Sequence, residues 1–344
     1  MQNFTIRKSF IYAIALVGPH LLAVPIITGL LTPTSLHSAE KNNKEKKAVN
    51  KKSDAEKSKE AIIFSLGEQA YEAFDEGKYL TAIKLAQKAA GKGETSAYTL
   101  LGRIYAAGNG VAKDMAVAAK YYEVAAEKGD IHALVALGNQ LATGQGVKKN
   151  QKKSADLFER AAKKNHPEAQ YNLALIYVNG QGRKRDSYAA AGWMLKAATN
   201  NLRVAQYGMG TLYALGQGVQ KDLVKAAEWT GKAANAGLAD AELEYAIMLF
   251  KGRGIQKNVK AAFTYFHSSA SKGNPVAQNR LARLYAYGIG IEPNPVEAAK
   301  WHLIARQAGV SDMKLDLFIA KIPKDMRQEA EAKVNETRGT NGLY

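Results

Sequence analysis

Residues 205–237 read AQYGMGTLYALGQGVQKDLVKAAEWTGKAANAG. Met209, Gly210 and Tyr213 have the spacing of one helical face. Gly216-Gln217-Gly218 ends that helix, because glycine enters the left-handed conformation that closes helices without a side-chain penalty. Asp222 stands where an N-cap acceptor is required. A second helix follows, with Ala226-Ala227, Trp229 and Ala233-Ala234, and Gly237 stops it. The stretch is a pair of antiparallel helices.

The same residue types recur at the same offsets six times, with no gap, on a period of 36 residues. Glycine stands at 108, 144, 180, 216, 252 and 288, and again at 110, 146, 182, 218, 254 and 290. The N-cap position holds Asp114, Asn150, Asp186, Asp222, Asn258 and Asn294. Small residues at 102, 138, 174, 210, 246 and 282 let paired helices approach. Larger ones at 105, 141, 177, 213, 249 and 285 face the alanine pairs. A bulky ladder on the second helix runs Tyr121, Leu157, Trp193, Trp229, Tyr265, Trp301. All these columns read as core. A period of this length means one supersecondary unit stacked along a line.

The pattern resembles the Sel-1-like repeat family, relatives of tetratricopeptide repeats, over about residues 97–310. Ser269, Arg306 and Phe263 depart from it and imply local repacking. The resemblance implies an all-α, right-handed α-solenoid of stacked antiparallel helix pairs that scaffolds protein–protein contacts. It implies no catalytic residue.

Residues 61–96 resemble a tetratricopeptide unit without the glycine loop: Ala70-Tyr71, Gly77-Lys78-Tyr79, Ala82 and Ala89-Ala90. The acids Glu68, Glu72, Asp75 and Glu76 give it the polar face of a terminal cap. Residues 97–312 hold the six repeats. Residues 313–344 form a C-terminal cap, with short helices over Asp312 to Ile322 and Pro323 to Val334 and a frayed tail from Asn335.

Residues 1–39 read as an export segment. Arg7 and Lys8 precede an uncharged run from Ile11 to Leu31. The region lengths favour a cleaved signal with a site after Ala39. The alternative is an uncleaved anchor, since the run approaches the ~20 residues of a membrane span. Both place the repeats outside the cytoplasm, periplasmic or secreted. Residues 40–60, rich in lysine and poor in apolar residues, read as a disordered spacer. The chain has no Cys, which excludes thiol catalysis and thiolate metal sites.

The formal net charge is +17, and segments 133–168 and 169–204 carry +4 each. One column is basic in five of six repeats: Lys113, Lys149, Arg185, Lys221 and Lys257, with Pro293 breaking it. Such a basic edge suits an anionic envelope polymer or lipid. It also has the simpler reading of a charged, solubilising loop. Nucleic acid is not expected, because the aromatics stand at core offsets.

In tetratricopeptide-like arrays the first helix lines the concave face. By that resemblance Tyr171, Leu175, Val178, Tyr207, Thr211, Leu243, Ile247 and Phe250 form an apolar groove for a protein or peptide. Arg103 and Asn139 stand at one end, Asn279 and Arg283 at the other. Tight winding that buries these side chains is the alternative reading.

No metal, cofactor or catalytic residue is expected. The histidines lack ligand spacing, and His267 and His302 stand on second helices of adjacent repeats. The G-x-G loops lack the strand and third glycine of a dinucleotide site, so helix termination accounts for them. The leading functional expectation is an exported scaffold or adaptor that serves an envelope complex or sensor; the second is the anionic-polymer binder. A hydrolase is the weakest reading, because the hydrolytic relatives carry Cys-rich repeats.

Overall fold

Helix length in this protein is set by its caps. The computed structural model describes residues 65–341, with side chains through residue 336; the 1–39 and 40–60 segments lie outside it. Sixteen helices and no strand occur among the described residues. The terminal unit is α1 (Leu66–Asp75) and α2 (Tyr79–Gly91). The repeats pair α3 (Thr95–Ala107) with α4 (Met115–Glu127), α5 (Ile131–Thr143) with α6 (Gln151–Lys163), and α7 (Pro167–Asn179) with α8 (Ser187–Thr199). They continue with α9 (Arg203–Leu215) and α10 (Leu223–Asn235), α11 (Ala239–Lys251) and α12 (Val259–Ser271), and α13 (Pro275–Tyr287) and α14 (Pro295–Gln307). The chain closes with α15 (Met313–Lys321) and α16 (Lys324–Asn341). The fold is an all-α solenoid of repeated helix pairs.

Every repeat helix has thirteen residues. Each first helix ends on a left-handed glycine; at Gly216, φ is 72° and the amide donates to the Leu212 carbonyl. Each second helix starts at the predicted Asp or Asn, whose side chain accepts from backbone amides two or three residues on, as Asp222 does from Val224 and Lys225. The cap residue's own amide donates back to the first helix, Asp114 to the Tyr105 carbonyl at 2.8 Å and Asn294 to the Tyr285 carbonyl at 2.9 Å. Loop and cap are thereby one hydrogen-bonded unit.

The second glycine of the loop does more than terminate a helix, which corrects the sequence reading. It has positive φ, and at Gly110, Gly146, Gly218, Gly254 and Gly290 it packs on the start of the preceding unit's second helix. A Cβ on Gly146 would overlap the Met115 backbone, and one on Gly254 the Leu223 backbone. The glycine pair therefore encodes both the turn and the spacing between repeats.

The chain divides at Arg160/Ala161 into two compact units. In the first, Leu100, Leu101 and Ile104 of α3 are fully buried against Ala82, Ala86 and Ala89 of α2. A Cβ on Gly102 would overlap the Tyr122 ring, and one on Gly138 would stand 3.1 Å from the Phe158 ring. The column 122, 158, 194, 230, 266, 302 is buried throughout (Tyr, Phe, Met, Thr, Phe, His). The ladder one residue earlier, expected as core, is buried at Leu157 and Trp301 and half-buried at Tyr121, Trp193, Trp229 and Tyr265. Tyr121 stacks on Tyr105 with ring centroids 5.7 Å apart, so the column at 105 meets this ladder as well as the alanines.

The second unit shows a further column on the first helices. Gln170, Gln206 and Gln278 are buried and donate to the carbonyls of Ala162, Ala198 and Ala270. The equivalent Glu242 has no such proton to give. It instead accepts from Lys272 at 2.6 Å and Ser268 at 2.9 Å. Ser269, which interrupts an alanine pair, is fully buried and donates to the Ala239 carbonyl. Phe263 packs edge-on against Tyr285. Arg306 reaches Asp316 at 3.3 Å.

The C-terminal cap forms as two helices, and α16 runs on to Asn341 instead of stopping at Val334. Leu315 of α15 enters the core beside Trp301 and Ala282, and Ile322 and Ala330 cover Val296 and Ala299.

Candidate functional site

The groove residues of the second unit stand on the first helices, at i and i+4. Tyr171, Val178, Tyr207, Leu243, Ile247 and Phe250 are half-buried. Leu175 and Thr211 are buried, at 8% and 7% exposure, and Thr211 donates its hydroxyl to the Tyr207 carbonyl. Those two side chains therefore belong to the packed layer. Burial raises the phenol pKa of Tyr171 and of Tyr207 above the ordinary value, Tyr207 further so because Glu244 and Asp240 lie close.

Glu244 is an ionisable group beside this apolar surface, one residue beyond the Leu243 position. Burial pushes its carboxyl up to about 7, against the weaker pull of Arg253 and Lys251. Sequence inspection missed it, because a lone Glu on a helix looks like an exposed one. The signal available was its offset, shared with Asn172 and Gly208 on the same face.

Three of the four residues expected at the polar ends of the groove, Arg283, Asn279 and Arg103, are committed to the protein itself. Arg283 pairs with Asp312 at 2.6 Å and Asn279 donates to the same carboxyl at 3.1 Å. Asp312 also caps α15. Burial works to raise its pKa, but the Arg283 and Asn279 hydrogen bonds outweigh this and hold it below the usual range. Arg103 stacks over the Phe74 ring at 5.0 Å.

The basic column is exposed at every member: Lys113, Lys149, Arg185, Lys221 and Lys257. Its side-chain stems share one place, over the glycine that closes each first helix. The site of a Cβ on Gly108, Gly144, Gly216 or Gly252 lies 3.1–3.4 Å from the matching lysine Cβ, and Arg185 donates to the Asn179 carbonyl at 3.3 Å. In these five repeats the basic residue stands beside the C-terminal, negative end of a first helix. Pro293 fills the same place over Gly288.

His267 and His302 take different partners. His267 is exposed and meets the Trp301 ring edge-on at 5.9 Å. His302 is buried and joined to Asp316 at 2.8 Å. Among the described residues no group of His, Cys, Asp or Glu is placed to hold a metal, and no helix is long and apolar enough to cross a membrane.

The Sel1 repeat matches six times in succession, at residues 95–130, 131–166, 167–202, 203–238, 239–274 and 275–310. No curated protein matches the sequence. The fold is similar to that of c5321, a protective antigen present in uropathogenic Escherichia coli strains, at 27% identity and a TM-score of 0.70, over 79% of this chain and 61% of that one. The chain thus spans less than two thirds of that protein. It is also similar to a Sel1 repeat protein from Oxalobacter formigenes, at 28% identity and a TM-score of 0.64, over 72% of this chain and 100% of that one.

Proposed function

Because the chain belongs to the Sel1 repeat family, whose members generally serve as protein–protein interaction scaffolds, we propose that it is an exported scaffold or adaptor holding a protein segment along its first helices. One observation carries this reading. Six apolar or aromatic side chains on three first helices, α7, α9 and α11, remain half-exposed beside buried columns. Partly exposed apolar surface at i and i+4 spacing suits an extended or helical peptide. Export rests on the charged and apolar order of residues 1–39. The partner regulated in this way would be an envelope complex or sensor.

The test is a cross-linked pull-down from intact cells with the chain tagged at its C-terminus. A discrete protein that is recovered with the native chain and lost with Tyr207→Ala/Leu243→Ala, while circular dichroism shows the helices intact, supports the scaffold. Undiminished recovery with the variant removes the first-helix surface from the account.

A further inference from the structure

The edge of the second unit where first helices end and second helices begin holds apolar side chains in the open. Tyr188 is 81% exposed, Val224 56% and Leu215 38%. Tyr188 and Val224 share one offset at the starts of α8 and α10, and Leu215 ends α9. The repeat does not require an apolar residue there, since the same offset holds Ala116, Lys152 and Lys260 in other copies. Exposed cations stand among them: Lys184 and Arg185 before α8, Lys221 before α10 and Lys257 before α12.

Glycine contacts join these elements into one strip. A Cβ on Gly218 would overlap the Ser187 carbonyl, so the loop that joins Leu215 to Lys221 lies against the start of α8, where Tyr188 stands. A Cβ on Gly254 would overlap the Leu223 carbonyl, which sets the loop leading to Lys257 against the start of α10, where Val224 stands. The two acids at these helix starts are engaged as caps. Asp186 accepts from the Tyr188 and Ala189 amides, and Asp222 from those of Val224 and Lys225. Cations and apolar tips therefore follow one another along one continuous edge.

A charged polymer would use the cations and leave the apolar side chains in water. An anionic lipid surface uses both, attracting the cations and taking tyrosine and aliphatic side chains at its headgroup boundary. We propose that this strip docks on an anionic membrane surface. Lys184, Arg185, Lys221 and Lys257 lie among the headgroups, and Tyr188, Leu215 and Val224 reach the edge of the hydrocarbon. The inference is independent of the first-helix surface.

The chain has no Cys, so one introduced thiol is a unique labelling site. Residues 1–39 carry an apolar run of their own, so the test reads the strip locally within the full chain. Val224→Cys carrying an environment-sensitive dye should shift to the blue on vesicles containing phosphatidylglycerol, and not on phosphatidylcholine alone. The same dye on Lys232→Cys, about 12 Å further along α10, should not respond. Adding Lys184→Gln/Lys221→Gln should raise the lipid needed for half the shift about tenfold or more, because each cation contributes to the attraction. The control Lys196→Gln/Lys232→Gln, with the same change of charge, should leave it unaltered. No shift at position 224, an equal shift on phosphatidylcholine, an equal shift at position 232, or an equal loss in the control overturns the proposal. Salt-sensitive co-sedimentation without a shift at position 224 also overturns it, and assigns the strip to a charged polymer.

Discussion

Gly218 lies against the backbone carbonyl of Ser187, so close that a methyl group on its α-carbon would overlap that oxygen. The contact joins one repeat's loop to the preceding repeat's second helix. Gly237, by contrast, has only the flexible end of Lys272 near the same point. Its column also accepts Asn165 and Asn201, at φ 64° and 61°. Gly237→Ala should therefore cost roughly 1–2 kcal/mol, the left-handed strain alone. Gly218→Ala adds a backbone collision and should cost about 3 kcal/mol or more. Urea denaturation of both variants checks the order; equal losses would show that the second glycine serves only the turn.

The buried Glu242–Lys272 pair replaces a glutamine hydrogen bond, and the replacement is reversible. Lys272→Met leaves a carboxylate 5% exposed without its cation and should destabilise by about 2 kcal/mol, allowing for the exposed lysine. Adding Glu242→Gln restores the residue found at 170, 206 and 278, with the Ala234 carbonyl as its acceptor by analogy of position. The double variant should recover most of the loss. A double-mutant cycle reads the coupling, and additive losses would contradict it.

Glu244 makes stability fall as pH rises. Its carboxyl is raised from an ordinary 4.5 to about 7 in the folded chain, so the folded state holds the proton more tightly. The protonated form is favoured below the ordinary value, and the cost of ionising grows from there up to about 7. Glu244→Gln should stabilise at pH 8 by on the order of 2 kcal/mol, discounted for its partial exposure, and change little at pH 4. Thermal unfolding at the two pH values measures it; a gain equal at both would contradict the shift.

Asp312 ties the C-terminal cap to α13. Asp312→Ala removes the cap of α15 and leaves Arg283 and Asn279 without their shared acceptor, at a cost of about 2–3 kcal/mol. Hydrogen exchange should quicken in α15 and leave the first unit unaffected. Uniform quickening in both units would show that the cap holds more than its own end.

Most of the fold was legible because the period repeats local signals. Glycine closes each first helix, Asp or Asn opens each second, and alanine pairs mark the interface between them. The second glycine's role was not legible, since its partner, such as Leu223 for Gly254, lies 31 residues away on another helix. The true core column was hidden for a different reason. Tyr122, Phe158, Thr230 and His302 share an offset but no chemistry, whereas the aromatic ladder beside them looked more like a core. In the candidate groove the offsets alone could not separate buried Leu175 and Thr211 from half-exposed Tyr207 and Leu243. Asn279 and Arg283 looked free because Asp312, which engages both, lies beyond the last repeat.

The scaffold reading is tested most directly by site-specific photo-cross-linking in cells. A benzophenone amino acid is placed at Phe250 on a first helix, and separately at Trp193 on a second helix. The account predicts a discrete protein adduct from position 250 and none from position 193. Adducts from position 193 alone, or identical adducts from both, would contradict binding along the first helices.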